Sequence, residues 1–257
     1  MTDLHLPGVP FSFAPSGTPA CTASVAGGTL TLAGGPKSDL FIDPAGDEGA
    51  RPDAGRWTGL PGENDFTFAA RVTVGFAATF DAGVMLLYLS ERRFAKLCYE
   101  FSPQRKPTAV TVVTRGTSDD SNSFETAGGP LWLRITRSGR IWAFHASQNG
   151  AYWQLLRYFT LGEASGARVG FLAQSPMGAG CTAIFDAITF KPGAPADLRD
   201  GSLRRAMAKT AIVSRAVNCD ISRGDDPPYP PTAASGRATR RRDIHVCLRV
   251  TSMSRFG

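Results

Sequence analysis

The sequence predicts an all-β fold over residues 1–200, a sandwich of two antiparallel sheets. Three observations support this prediction. Apolar and polar residues alternate with a period of two in several short segments, glycine-containing turns separate these segments, and no stretch before residue 200 has the pattern of a helix. A period of two is typical of a half-buried strand, because successive side chains of a strand point to opposite faces of the sheet.

The segment 66–74, FTFAARVTV, has the most regular alternation, with apolar residues at every even position. Eight further strands are predicted at 83–89, 94–101, 109–115, 131–136, 141–146, 154–159, 168–173 and 182–190. Ser138-Gly139 and Asn149-Gly150 stand between neighbouring segments of this series. Such dipeptides favour hairpins, because glycine readily takes the positive φ angles of a tight turn.

The segment 30–65 interrupts this pattern. It is rich in Gly, Pro and Asp, and it predicts a long loop with one short strand at 39–43. Long loops in compact domains are often functional or mobile. An ordered surface segment that wraps over one sheet edge is an equally good interpretation.

The charge distribution divides the chain into a domain, 1–200, and a basic low-complexity tail, 201–257. The formal net charge is +6, yet the tail alone has 11 basic and 4 acidic residues, and the rest of the chain has a net charge of −1. Of the 25 aromatic residues, 23 lie before residue 201. A core needs large apolar side chains, so we expect the tail to be disordered. A basic amphipathic helix near 203–213, acting as a functional arm, is the alternative.

Several classes of protein are excluded or disfavoured. No apolar stretch reaches the ~20 residues that span a bilayer, and the first residues lack the pattern of a secretory signal. The five cysteines form no CxxC pair, which favours reduced thiols in a cytoplasmic protein, with Cys98 and Cys181 in the core. The three arginines at 240–242 have no aromatic stacking partners, so we expect no nucleic-acid partner. We also expect no membrane partner.

Three segments carry a resemblance to a known family. They are Asp-Ala-Gly-Val-Met at 81–85, Lys-Leu-Cys-Tyr-Glu at 96–100 and Thr-Arg-Gly-Thr-Ser-Asp-Asp-Ser-Asn-Ser at 114–123. Over residues 10–200 the chain resembles the "regulation of enolase" family of domains of unknown function, in the concanavalin A-like lectin/glucanase superfamily. The resemblance implies a jelly-roll sandwich, a cytoplasmic location and no established enzymatic activity. Members of the family look as if they end near 196–202, and the Arg-Pro-Ser-Ala bias that follows resembles a translated shifted frame.

Charged residues inside the predicted strands point to a binding face. Lys96 and Glu100 share one face of the strand at 94–101, and Arg134 and His145 alternate with core residues in their own strands. Charged groups with an aromatic floor are a usual means of holding a carbohydrate or a small polar metabolite. A solvated sheet face is the alternative. The predicted ligand-binding residues are Lys96, Glu100, Arg115, Arg134 and His145 on the face, with Asp81, Asp119 and Asn122 at its rim.

We therefore expect a non-catalytic binding module, and two alternatives stay open. A glycan-active hydrolase needs two carboxylates, and Glu100 with Asp81 or Asp119 would supply them. The family resemblance suggests an interaction module that regulates a metabolic enzyme. Acidic and amide oxygens at 115–123 suit Ca²⁺, but their spacing fits no calcium loop, and the three histidines are scattered. We predict no metal and no cofactor.

Overall fold

The computed structural model describes residues 2–46, 54–163 and 165–201. The regular structure of these residues is entirely β, which confirms the predicted fold class. The strands are β1 (Ala14–Ser16), β2 (Thr22–Ala26), β3 (Thr29–Gly34), β4 (Arg56–Gly59), β5 (Phe66–Val74), β6 (Ala82–Ser90), β7 (Arg93–Phe101), β8 (Pro107–Arg115), β9 (Thr117–Glu125), β10 (Leu131–Ser138), β11 (Ile141–Ser147), β12 (Gln154–Phe159), β13 (Arg168–Gln174) and β14 (Cys181–Pro192).

The strands form two antiparallel sheets of seven strands each. The first sheet has the order β1-β4-β13-β6-β7-β8-β9, and the second has the order β12-β11-β10-β5-β14-β3-β2. Between the sheets lies an apolar core in which rings from both sides meet. Phe68 of β5 contacts Phe171 of β13 edge to face, with 5.3 Å between the ring centroids. The core faces of the two sheets therefore point toward each other, and each sheet has a separate outer face.

All nine predicted strands are present, and the turns between them confirm the hairpin prediction. Gly139 and Gly150 have φ angles of 58° and 72°, which a residue with a Cβ adopts only under strain. Five strands were not predicted, namely β1, β2, β3, β4 and β9. Three of these, β1, β2 and β9, are edge strands. β1 has three residues and β9 is almost entirely polar, so neither shows the apolar alternation on which the prediction rests.

The segment between β3 and β4 covers the outer face of the first sheet. The predicted strand at 39–43 is wrong, because this part of the segment crosses over the sheet without joining it as a strand. Leu40 and Ile42 are buried there against Val84, Leu86 and Leu172. Residues 35–46 thus support the interpretation of an ordered covering segment, although they cover a sheet face rather than an edge.

The remaining sequence predictions concern thiols, membranes and the tail. Cys98 and Cys181 are free thiols buried in apolar clusters, as predicted, and Cys21 is a third. No helix long and apolar enough to cross a bilayer occurs in the part of the chain that the structure describes. The predicted helix at 203–213, the low-complexity segment and the arginines at 240–242 lie outside the described residues.

Candidate functional site

A cavity of about 330 Å³ opens on the outer face of the first sheet, beside the covering segment. Strands β7, β8, β9 and β13 provide its floor. The covering segment provides one wall, and the turns before β6 and after β13 provide the other. Its lining consists of Asp39, Phe41, Asp43, Phe80, Lys96, Glu100, Val110, Val112, Asp120, Gln174, Pro176 and Met177.

Lys96 lies at the bottom of the cavity and is only 1% exposed. It shares the outer face of β7 with Cys98 and Glu100, as the alternation in this strand predicted. Its Nζ donates hydrogen bonds to Asp39 Oδ1 and to Gln174 Oε1, both at 3.1 Å. Burial by itself would lower the pKa of Lys96, but the nearby carboxylates of Asp39 and Glu100 raise it above its ordinary value. Lys96 is therefore a buried ammonium with a paired charge.

Glu100 also lies in the floor of the cavity and is 8% exposed. Burial raises the pKa of its carboxyl to about 7, although the positive charge of Lys96 acts in the opposite direction. No described residue donates a hydrogen bond to this carboxyl group. A buried carboxyl that is close to half-ionised at neutral pH, without a donor of its own, is available to a donor from a ligand.

Hydrogen bonds fix the covering segment onto the sheet. The backbone N–H of Leu40 donates to Asp39 Oδ1 at 2.7 Å, which orients this carboxylate toward Lys96. Ile42 and Ser118 of β9 are joined twice, since the Ile42 N–H donates to the Ser118 hydroxyl and the Ser118 N–H donates to the Ile42 carbonyl. Hydrogen bonds within the protein therefore hold this wall of the cavity against β9.

The mouth of the cavity has two exposed apolar side chains, Phe80 at 37% and Met177 at 60% exposure. Asp81 was predicted at the rim, but it is fully buried and does not line the cavity. Its Oδ2 accepts hydrogen bonds from the N–H groups of Ala77 and Ala78, and its Oδ1 accepts one from the Ser175 hydroxyl at 2.6 Å. Asp81 thus joins the two turns that present Phe80 and Met177.

Arg134 and His145 lie on the other side of the sandwich, on the outer face of the second sheet. The prediction that they share one polar face with Lys96 and Glu100 is therefore wrong. The chain beyond β14 covers them, since Arg134 donates to the Gly201 carbonyl and His145 Nε2 lies 2.9 Å from the Leu198 carbonyl oxygen. The Arg134 guanidinium also stacks 4.2 Å from the centre of the Trp153 ring.

Burial disfavours the charged form of basic and acidic groups alike, so it lowers the pKa of a base and raises the pKa of an acid. On the second sheet it lowers the pKa of His145 to about 4 and the pKa of Arg134 to about 10. The imidazole of His145 is therefore neutral at pH 7. In this form its Nε2–H donates to the Leu198 carbonyl.

The remaining predicted residues lie at the edges of the molecule. Arg115 is exposed at the end of β8 and donates to the Thr160 carbonyl at 3.3 Å. The segment 115–123, weighed above for Ca²⁺, is mostly the edge strand β9, in which Asp119 forms an ion pair with Arg157 of β12 at 3.1 Å. Asn122 lines a separate depression beside Thr108. None of the three lines the cavity.

The sequence analysis missed the other residues of the cavity. Asp120, and not Asp119, faces the floor, because alternate residues of β9 point to the outer face of the sheet. Recognising 117–125 as a strand would have revealed this. Phe41, Asp43 and Met177 come from irregular segments, in which no periodic signal shows the direction of a side chain. No group of three or more His, Cys, Asp or Glu side chains suited to a metal ion occurs among the described residues.

A family model described as "Protein of unknown function (DUF1349)" matches residues 17–193. The chain belongs to the DUF1349 family. This result agrees with the predicted membership of a family of unknown function, whereas the predicted link to regulation of enolase stays a prediction. A search of the curated proteins finds no match.

Solved structures place the DUF1349 domain among β-sandwich proteins. A functionally unknown protein from Saccharomyces cerevisiae is 20% identical, with a TM-score of 0.62 over 71% of this chain and 97% of the yeast chain. The GH43 protein BlXynB from Bacillus licheniformis is 16% identical, with a TM-score of 0.55 over 71% of this chain and 36% of its own. A GH43 protein from Bacteroides ovatus, described with a xyloglucan locus, is 17% identical, with a TM-score of 0.56 over 74% and 38%. These likenesses show the fold, and the chain spans less than half the length of either GH43 protein.

Proposed function

We propose that this DUF1349 domain is a non-catalytic binding module and that the cavity on the first sheet holds a small carbohydrate or a similar polar metabolite. The observation that carries this proposal is the buried carboxyl of Glu100, which has no hydrogen-bond donor among the described residues and lies in the floor of an open cavity. A volume of about 330 Å³ lies at the lower end of the ~300–1,000 Å³ range of ligand pockets, which suits one or two sugar rings.

The lining matches what a polyhydroxyl ligand needs. Glu100, Asp120 and Gln174 offer acceptors for sugar hydroxyls, and the Gln174 amide also offers donors. Phe41 and Phe80 present aromatic surfaces against which the C–H face of a sugar ring packs. Because Phe80 and Met177 are exposed at the mouth, a ligand would also cover apolar surface that is otherwise in water. The three described cysteines are free thiols, which supports a reducing, cytoplasmic setting.

A thermal-shift screen of the full chain against mono- and oligosaccharides tests the proposal. A ligand at 100 times its Kd stabilises a protein by ~2.7 kcal/mol, which corresponds to several degrees in Tm for a domain of this size. We expect at least one sugar to give a dose-dependent shift that Phe80→Ala weakens. Asp119→Asn is the matched control, because Asp119 lies outside the cavity. A flat response to the whole panel would contradict the proposal.

Glycan hydrolysis is a second candidate, favoured by one observation. Glu100, whose pKa is raised to about 7, shares the cavity with the carboxylates of Asp39, Asp43 and Asp120. A protonated carboxylic acid beside an ionised one is the arrangement that glycosidases use. The partners first considered, Asp81 and Asp119, do not line the cavity. Release of nitrophenol from nitrophenyl glycosides, abolished in Glu100→Gln, would establish hydrolysis, and a binding module would release none.

A further inference from the structure

We infer that the ligand of this cavity carries a protonated amine, so that its chemical class is an amino sugar rather than a neutral or acidic sugar. This inference rests on the proposed function, because it assigns the charge of the ligand that the same cavity holds. It follows from how the charges of the lining are paired.

The cavity has an excess of carboxylates. Four of the described lining residues are acidic, Asp39, Asp43, Glu100 and Asp120, and Lys96 is the one basic residue among them. The charge of Lys96 is already paired within the protein. Its Nζ lies 3.1 Å from Asp39 Oδ1 and also donates a hydrogen bond to Gln174. Lys37 reaches the rim only from outside, where its Nζ donates to the Met177 carbonyl at 2.6 Å. An incoming anion would therefore meet like charges without a free cation to bind.

Glu100 is the buried lining carboxyl that lacks a hydrogen-bond donor. It is more than nine-tenths buried, it lines the cavity, and no described residue donates to it. Asp120 stands on the neighbouring part of the floor, with no ion pair to any described residue. An ammonium group near both carboxyls would form charge-assisted hydrogen bonds, which are about twice as strong as neutral ones. It would also favour the ionised form of Glu100, which burial by itself disfavours.

The apolar part of the lining is compatible with the same ligand. Phe41 already has a cation near its ring, since Lys96 Nζ lies 5.7 Å from the ring centroid. Phe80 stands at the mouth, with more than a third of its surface exposed. Aromatic faces attract ammonium groups and also pack against sugar rings, so they accept a cationic sugar as readily as a neutral one.

A series of three sugars that differ only at carbon 6 tests the inference: 6-amino-6-deoxyglucose, glucose and glucuronate. Isothermal titration of the full chain at pH 7 measures the three dissociation constants. We expect the amine to bind at least tenfold more tightly than glucose, and glucuronate to bind more weakly than glucose. Glu100→Gln should remove most of the preference for the amine, and Asp120→Asn should reduce it several-fold.

Asp119→Asn is again the matched control, because it removes the neighbouring carboxylate on the opposite side of β9 and should leave the preference unchanged. Equal binding of the amine and glucose, or tightest binding of glucuronate, would overturn the inference and leave the proposed function standing. Failure of all three sugars to bind would overturn the inference, and a flat result in the wider sugar screen as well would overturn the proposed function.

Discussion

The outer faces of the two sheets contain the same type of residue but are covered in different ways. Each face has buried ionisable side chains at strand positions that alternate with core residues, Lys96 and Glu100 on the first sheet and Arg134 and His145 on the second. On the first sheet the covering segment contributes a side chain, the carboxylate of Asp39, and leaves a cavity beside it. On the second sheet the cover contributes backbone carbonyl groups directly above Arg134 and His145.

This difference shows that a buried charge in a strand does not identify a binding site by itself. The chain that covers each face determines whether an open volume remains beside the buried group. Arg134 has a carbonyl acceptor and an aromatic partner within the domain. Glu100 has no hydrogen-bond donor among the described residues and lines an open cavity, and for this reason we propose the binding role for the first sheet.

The largest expected effect comes from removing the cation of the first sheet. Lys96→Ala should destabilise the fold by about 4 kcal/mol, because it removes a buried ammonium and leaves the carboxylate of Asp39 without its ion-pair partner. Urea denaturation at pH 7 measures this loss, and Lys191→Ala, at an exposed lysine of β14, is the control with an expected change below ~0.5 kcal/mol. A loss below ~1 kcal/mol for Lys96→Ala would mean that this charge is not part of a tightly coupled pair.

The two faces should respond to pH with opposite signs. The folded pKa of Glu100, about 7, is above its ordinary value of 4.5, so the stability from this group is complete below pH 4.5 and is lost as the pH rises through 7. The groups that face it are Lys96, Asp39 and Asp120. The folded pKa of His145, about 4, is below its ordinary value of 6.5, so its contribution is complete above pH 6.5 and is lost as the pH falls through 4.

Glutamine variants isolate these two contributions. Relative to the wild-type chain, Glu100→Gln should gain about 2 kcal/mol between pH 5 and pH 8, and His145→Gln should gain a similar amount between pH 7.5 and pH 4.5. Urea denaturation at the paired pH values gives both numbers. The prediction of opposite signs would be contradicted if the stability of both variants, relative to wild type, changed with pH in the same direction.

The smallest expected effect lies at the edge where the two sheets meet. Asp119 and Arg157 form an ion pair whose side chains are 67% and 22% exposed. Water screens such a pair, so Asp119→Asn should cost less than ~1 kcal/mol at low salt and less again at 1 M salt. The same denaturation measurement checks this value. A loss comparable to that of Lys96→Ala would show that this edge contributes more to the fold than its exposure indicates.

The sequence predicted side-chain directions in strands, where burial of one face imposes an alternation of apolar and polar residues. It did not predict them in irregular segments. The alternation in β7 placed Lys96 and Glu100 together on one face, and that placement is correct. The same reasoning could not show that β10 and β11 belong to the other sheet, because alternation within a strand carries no information about which sheet a strand joins. The sequence did not predict Asp39 and Phe80 as cavity residues for another reason. They lie in irregular segments whose path is set by tertiary packing, such as the burial of Leu40 and the bonds of Asp81.

The last described residue, Gly201, has a consequence for anyone who expresses this domain. It follows the end of the family match by eight residues, yet a Cβ at this position would clash with the imidazole ring of His145. The chain thus continues past the last strand as a strap, and this glycine is its anchor on the second sheet. A recombinant domain cut at the family boundary would expose Arg134 and His145 to solvent, and a fusion partner joined before Gly201 would displace the strap. The shortest version suited to crystallisation or labelling accordingly retains residues 194–201.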